Sequence, residues 1–132
     1  MSRTSIYTEG FSHRNPIPAA CRIGDILCSG SIQGTDPGTG AYGDTLEAQC
    51  ALMLDHVRRI VEQAGGSTQD IIKLTVWMND RSQRKALNTV WLKMFPDECS
   101  RPARHTMQAS LDGGKLIECS FMAVIGRGGN HA

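Results

Sequence analysis

The segment DTLEAQCALMLDHVRRIVEQAGG, residues 44–66, predicts the clearest helix of this chain. Its apolar side chains recur at spacings of three and four residues, which places them on one face of a helix. Asp44 is positioned to cap the first turn with Glu47 three residues later, and Gly65-Gly66 ends the helix. The apolar face consists of Leu46, Cys50, Met53, Leu54, Val57, Ile60, Val61 and Ala64.

A strand and a second helix are predicted directly after this helix. The stretch KLTVWMN, residues 73–79, alternates in polarity and is rich in β-forming residues, which favours a strand. Asp80 and Gln83 resemble a capping pair at the start of the second helix, and Pro96 ends that helix. Its buried stripe is predicted to consist of Leu87, Val90, Trp91 and Met94.

The stretch RPARHTMQASLDGGKLIE, residues 101–118, is interpreted as two strands joined by a glycine turn. Its Asp-Gly-Gly segment supplies the positive φ angles that a tight hairpin needs. Side chains alternate along strands, so Arg104 and Glu118 are expected on one polar face of this hairpin. Counting back from the turn sets Glu118 opposite Gln108, and Arg104 then lies about 13 Å farther along. We therefore expect two ends of a cleft, although such residues often form only a surface ion pair.

Three short strands are predicted before the first helix, over residues 4–8, 19–23 and 26–32, with a turn at Gly24-Asp25. The order β-β-α-β-α-β-β indicates an α+β fold with a mixed sheet and both helices on one face. A chain of 132 residues is predicted to form a single domain over residues 1–132. The uncovered face would expose Trp, Met and Val side chains, so we expect copies of the chain to associate.

Composition excludes several classes of function. Lys and Arg number 14 against 13 Asp and Glu, and the net charge of +1 gives no basic field for nucleic acid. No apolar run approaches the roughly 20 residues of a membrane helix, so no membrane partner is expected. The five cysteines are scattered without a CxxC motif, and no signal peptide is recognised, which favours a reducing cytoplasm.

Patterns that suggest cofactors are weak in this sequence. Residues 38–43, GTGAYG, match GxGxxG, but five residues separate them from the preceding strand, which favours a plain surface loop. The four histidines lack metal-ligand spacing, so no metal is expected. His56 is predicted on the solvent side of the first helix, and His131 in a mobile tail. Cys28 and Cys119 are interpreted as small buried hydrophobic residues.

Neutral hydrogen-bonding groups accompany the two charged candidates. Asn88 lies in the amino-terminal half of the second helix, and Ser29-Gly30 lies where a strand can expose its backbone. Ligand sites commonly combine such groups with one charged residue. These residues are therefore added to Arg104 and Glu118 as candidates for binding a small acid.

Four stretches together resemble the RidA (YjgF/YER057c/UK114) family. They are NPIPAACRIGDILCSGSIQGTDPGTG (15–40), AGGSTQDIIKLTVWMND (64–80), LNTVW (87–91) and RPARHTMQASL (101–111), in the family's order and at suitable spacing. The resemblance covers nearly the whole chain. It implies a chorismate-mutase-like fold and a homotrimer with clefts between subunits. It also implies hydrolysis of reactive enamines and imines to keto acids and ammonia, without a cofactor.

The resemblance assigns a role to each candidate by position. Arg104 would bind the substrate carboxylate through a bidentate pair, which lysine cannot reproduce. Glu118 would position or deprotonate the attacking water, although its alignment depends on where a one-residue gap is placed. Gly30 would contribute backbone groups near the imine, and Asn88 would lie near the same cleft.

The chain also departs from the family pattern. Ile17 stands where better-known deaminating members have tyrosine, Thr106 where they often have cysteine, and Ser120 where they have a second acid. These changes alter the lining of the pocket while keeping the carboxylate anchor. A different substrate, or a module that binds keto acids or regulates a partner without turnover, is the alternative. A ribonuclease activity finds no support in the charge or in the 5% aromatic content.

Overall fold

Seven strands and two helices occupy the part of the chain that the structure, a computed structural model, describes: residues 2–126. His131 lies outside these residues. Two short 3-10 turns, Thr68–Asp70 and Arg81–Gln83, precede β5 and α2. The elements are β1 Thr4–Ile6, β2 Ala20–Ile23, β3 Ile26–Ser29, β4 Ile32–Gln33, α1 Leu46–Gln63, β5 Ile71–Met78, α2 Arg84–Met94, β6 Ala103–Gln108 and β7 Ile117–Val124.

The strands form one mixed sheet, as the sequence predicted. Their order is β1-β2-β3-β7-β5-β6, with β4 pairing separately with β7. The β5–β6 pair is parallel and the other pairs are antiparallel. One face of the sheet packs under α1 and α2 around buried residues of β5 and β7, such as Leu74, Val76, Ile117 and Cys119. The predicted α+β fold with two helices on one face is therefore confirmed. None of the described helices is long and apolar enough to cross a membrane.

The predicted hairpin between β6 and β7 is wrong, because β5 lies between these two strands. Gly113 and Gly114 do adopt positive φ angles of 66° and 89°, so the turn itself was predicted correctly. The connection passes around the end of β5, where Asn79 holds both of its arms. The Nδ2 of Asn79 donates to the Lys115 carbonyl at 2.8 Å, and its Oδ1 accepts from the Leu111 amide at 2.8 Å. A glycine turn thus predicts that the chain changes direction, but it does not predict which strands pair.

The ends of α1 differ slightly from the prediction. Thr45 caps the helix instead of Asp44, and its hydroxyl oxygen accepts from the Ala48 amide at 3.1 Å. Gly65 has a φ of +96°, which only glycine adopts readily and which ends the helix as predicted.

His56 is buried and not on the solvent side of α1 as predicted, since only 1% of it is exposed. Its Nε2 lies 2.7 Å from the Thr35 carbonyl oxygen, and the Phe11 ring packs at 4.9 Å. Burial lowers the pKa of His56. The prediction failed because the loop after β4 and the segment around Phe11 cover this side of the helix.

A buried glutamine connects α1 to the β6–β7 connection. The Gln49 side chain is 2% exposed, and its Nε2 donates to the carbonyl oxygens of Gly43 and Gly114, both at 3.0 Å. Its Oε1 accepts from the Leu116 amide at 2.9 Å. One side chain therefore forms hydrogen bonds with three backbone groups, one in the loop before α1 and two in the β6–β7 connection.

Replacing Gln49 with leucine is expected to lower the free energy of unfolding by about 3 kcal/mol, since buried backbone groups lose their partners. Urea unfolding at fixed protein concentration measures the loss. Gln63→Leu, at an exposed position near the end of the same helix, serves as the control and should change stability by less than about 0.5 kcal/mol. Equal losses in the two variants would contradict a structural role for the Gln49 bridge.

The sheet face turned away from the helices carries an apolar patch, which we call the open face. Its members are 42–55% exposed and lie on β2, β3 and β7: Ile23, Ile26, Met122 and Val124. Ile26 pairs with both Ile23 and Val124, so these side chains are contiguous. Cys28, predicted to be buried, is exposed beside Met122 on this face. A patch of this kind is typical of a surface that another protein molecule covers.

Candidate active site

Arg104 projects from β6 towards α2, on the helix-covered side of the sheet. In register it lies level with Leu74 of β5, whose side chain is 1% exposed in the core. Its Nη2 donates to the Asn88 Oδ1 at 2.8 Å. The guanidinium carbon also lies 4.9 Å from the centre of the Trp91 ring, which fits a cation–π contact. Two residues of α2 thus hold the guanidinium in place.

The Arg104 guanidinium has no negative partner within residues 2–126. No carboxylate of this part of the chain forms an ion pair with it, and its Nη1 is buried without a hydrogen-bond partner. Burial, and secondarily the charge of Arg84, lower its pKa. A half-buried cation without a counter-ion is costly, so this arrangement favours an anion that arrives from outside the subunit.

Two other predicted residues share this side of the sheet with Arg104. Asn88 is exposed on α2 and contacts the guanidinium directly, as described above. Thr106 follows Arg104 by two positions on β6, faces the same side, and is half-buried. The structure therefore brings together Arg104, Asn88 and Thr106.

Glu118 lies on the opposite side of the sheet, contrary to the prediction of a shared face. It alternates with Ile117 and Cys119, both fully buried beneath the helices. Its Oε2 accepts a hydrogen bond from the Gln33 Nε2 at 3.0 Å. The Gln33 Nε2 also lies 3.2 Å from the Ser31 Oγ, which orients this amide.

The two charges are too far apart to act on one small molecule within a subunit. Glu118 lies level with Trp77 of β5, and Arg104 lies level with Leu74, three residues away on the same strand. Two strand spacings and three residues of rise separate their backbones by about 14 Å. Because their side chains point to opposite faces, their charged groups cannot meet across one subunit.

Ile17 and Gln33 line a large groove, and Gly30 lies next to His13, another of its lining residues. This groove has a volume of about 930 Å³, and Ile17, His13, Ser31 and Gln33 are among its lining residues. Ile17 is 47% exposed there. The carboxylate of Glu118 accepts a hydrogen bond from Gln33, one of the residues that line the groove.

Ser29 and the backbone of Gly30 are already engaged within the subunit. The Ser29 Oγ donates to the Gly30 carbonyl at 2.8 Å and accepts from the Phe121 amide at 2.8 Å. The Gly30 amide donates to the Ala19 carbonyl at 2.9 Å. These bonds fix the end of β3 against β7. The Gly30 amide is therefore already paired within the subunit.

Two observations on residues 2–126 concern metal ligands and thiols. No group of three or more His, Cys, Asp or Glu residues could hold a metal ion there. All five cysteines are free thiols. Burial raises the pKa of Cys50 to about 12 and raises that of Cys119 further, so neither supplies a thiolate at neutral pH.

Sequence reasoning missed three residues of this region. Trp91 was assigned only to the core, yet its spacing of three from Asn88 places both on one helix face and could have revealed the contact with Arg104. Gln33 and His13 gave no local signal, because their neighbours in the groove lie far away in the sequence.

Comparison with known proteins links this arrangement to one family. The family model described as Endoribonuclease L-PSP matches residues 5–125. A RutC family protein of Pyrococcus abyssi is 30% identical over 127 residues, which cover 93% of this chain and 98% of that protein. The mitochondrial protein mmf2 of Schizosaccharomyces pombe is 31% identical over 126 residues, covering 90% and 97%.

Solved structures show the same fold. RidA from the Antarctic bacterium Psychrobacter superposes with a TM-score of 0.86 at 27% identity, covering 92% of this chain and 99% of that one. Escherichia coli TdcF with bound serine superposes with a TM-score of 0.86 at 26% identity, covering 93% and 99%. The serine in that structure is a small molecule with a carboxylate.

Proposed function

This chain belongs to the RidA family, which the Endoribonuclease L-PSP model describes, and from that premise we propose that it is a cofactor-free deaminase. Its proposed substrates are small enamine or imine acids, and its products are keto acids and ammonia. The observation that carries the proposal is the half-buried Arg104 guanidinium, which lacks a counter-ion and is held by Asn88 and Trp91. A substrate carboxylate supplies the missing negative charge through a charge-assisted hydrogen bond.

We further propose that the working unit is a homotrimer with one cleft at each subunit contact. Arg104 lies on an edge strand and Glu118 on the opposite face, so one cleft can contain both only if two subunits contribute. The apolar open face supports this arrangement, because a neighbouring subunit would cover it. A head-to-tail contact that repeats three times closes a ring.

The proposed chemistry uses water as the only co-reactant. With the carboxylate bound by Arg104, the neighbouring subunit's Glu118 accepts a proton from a water molecule whose oxygen attacks the imine carbon. The C=N electrons move to nitrogen, which takes this proton back from Glu118 and becomes an amine on a tetrahedral carbon that now carries a hydroxyl group. The hydroxyl proton then passes to this nitrogen, the C–N bond breaks, and ammonia leaves as the carbonyl forms. Thr106 and Asn88 would line the carboxylate end of the cleft, and Ile17 the opposite end.

A second candidate function is a keto-acid binding or regulatory module with little turnover. The engaged hydroxyl of Ser29 and the engaged amide of Gly30 favour it, since neither group is free to stabilise a reacting atom. It shares the Arg104 anchor with the leading proposal. Both candidates fit a reducing compartment, for which we propose the cytoplasm, given the five free cysteines.

A panel of enzymatically generated imino acids, including 2-iminopropionate, tests the leading proposal. The purified protein is expected to accelerate keto-acid release. Glu118→Gln should lower kcat about 100-fold, in the range for loss of a general base. Glu98→Gln, at an exposed position near the start of β6, should leave kcat unchanged. Binding of 2-oxobutyrate by calorimetry without acceleration on any imino acid would favour the second candidate instead.

A further inference from the structure

His13 has an unpartnered ring nitrogen at the wall of the groove. Its Nε2 is buried without a hydrogen-bond partner, although the residue lines the groove beside Ile17 and Ser31. The ring is fixed by an edge-on contact with Phe11, with ring centres 5.2 Å apart at an angle of 85°. An unpaired buried polar atom is unfavourable, so a rigid ring of this kind is suited to a partner supplied by a ligand.

Because residue 30 is glycine, no side chain lies between its backbone and the His13 ring. A Cβ at Gly30 would stand 3.7 Å from the His13 Nε2 and 3.9 Å from the carbonyl oxygens of Pro18 and Ala19. These atoms bound the small space that such a Cβ would enter, which we call the cradle. The Ala19 oxygen already accepts from the Gly30 amide, which leaves the Pro18 oxygen and the ring nitrogen as the facing polar atoms.

The polarity of the cradle selects a hydrogen-bond donor. The Pro18 carbonyl can only accept. Burial lowers the pKa of His13, so its ring is neutral at neutral pH and one of its nitrogens is an acceptor. A hydroxyl group both donates and accepts, and therefore satisfies either tautomer of the ring. A methyl group in the same place would leave both polar atoms unpaired.

We propose that His13 is a specificity-determining residue, whose Nε2 and the facing Pro18 carbonyl bind a hydroxyl group on the side chain of the substrate. The favoured substrate class is then hydroxylated imino acids, and not the alkyl imino acids of similar size. This inference rests on the proposed function, because it requires a carboxylate-bearing ligand that reaches the groove.

Two keto acids of nearly equal size test the inference directly. In 3-hydroxypyruvate a hydroxyl group stands where 2-oxobutyrate has a methyl group, and calorimetry with the intact protein gives the Kd of each. The wild type is expected to bind 3-hydroxypyruvate about tenfold more tightly, because the unpaired polar atoms reject the analogue that lacks the hydroxyl. His13→Leu should remove this preference. His13→Gln, whose amide reaches a similar position, should keep part of it.

Gly30→Ala is the matched variant at the cradle itself. Its new methyl group makes only ordinary contacts of 3.7 Å or more, so the variant is expected to fold. It should lose the preference for 3-hydroxypyruvate, because its methyl group takes up the cradle that the hydroxyl group would enter. Equal binding of both acids by the wild type, or a preference that survives in His13→Leu, would overturn the role of His13 and leave the proposed function standing. Binding of neither acid by the wild type, together with no acceleration on any imino acid, would overturn both.

Discussion

Arg104→Lys is expected to lower kcat/KM for imine hydrolysis at least 100-fold. Lysine presents a point charge, so it cannot form a bidentate pair with a carboxylate or stack its charge as a planar group on Trp91. The loss corresponds to about 3 kcal/mol, within the range for removing one partner of a buried charge pair. Keto-acid release measures the rate, and calorimetry with 2-oxobutyrate measures the matching loss of binding.

The control for this variant is Arg81→Lys, an exposed arginine before α2 that should leave kcat/KM unchanged. Because Arg104 has no ion-pair partner within the described residues, its replacement should cost little stability, and thermal unfolding checks this.

A mixed preparation of Arg104→Lys and Glu118→Gln subunits tests whether two subunits share each cleft. If each cleft takes one residue from each of two subunits, about a quarter of the clefts in a random equal mixture are intact. An inactive mixture would contradict the two-subunit site, and a fully active Arg104→Lys protein would contradict the role of Arg104.

Ile26→Lys is expected to convert the assembled protein into monomers and to abolish turnover with it. Ile26 is 55% exposed on β3 and contacts the cross-strand neighbours Ile23 and Val124 at the centre of the open face. Burying an unpaired ammonium group in such an interface costs several kcal/mol. Sedimentation velocity measures the assembly state, and keto-acid release measures turnover in the same sample.

Leu92→Lys provides the matched control, since Leu92 is 51% exposed on α2, away from the open face. It should remain assembled and active. A wild-type protein that sediments as a monomer, or an Ile26→Lys protein that assembles normally, would show that the open face is not the contact. An active monomer would further contradict the division of the cleft between subunits.

The sequence predicted those features that depend on neighbouring residues. The apolar stripes located both helices, and alternation correctly placed Arg104 with Thr106 on one face of β6. The relative phase of β6 and β7 could not be predicted, because it depends on β5 lying between them. That single long-range pairing moved Glu118 to the opposite side from Arg104.

The candidate site shows the same difference between features that local sequence patterns predict and features that depend on residues far apart in the sequence. Arg104 and Asn88 were both candidates from the sequence, and the structure places them in contact. The helical periodicity wrongly predicted that His56 faces solvent. The pattern within α1 contains no information about the distant loop that covers this side chain. The Gln33–Glu118 contact joins residues 85 positions apart and arises from the pairing of β4 with β7. No local pattern encodes such a contact.

The central place of β7 determines when this protein can fold during its synthesis. Among the described residues β7 is synthesised after every other strand, yet it pairs with β3, β4 and β5. Until it emerges, β1–β3 and the β5–β6 pair are separate fragments with no strand to join them. Contacts between residues this far apart in sequence form slowly, and exposed strand edges are prone to aggregation. The sheet is therefore completed only when β7 becomes available, and this is the strand that also carries Glu118.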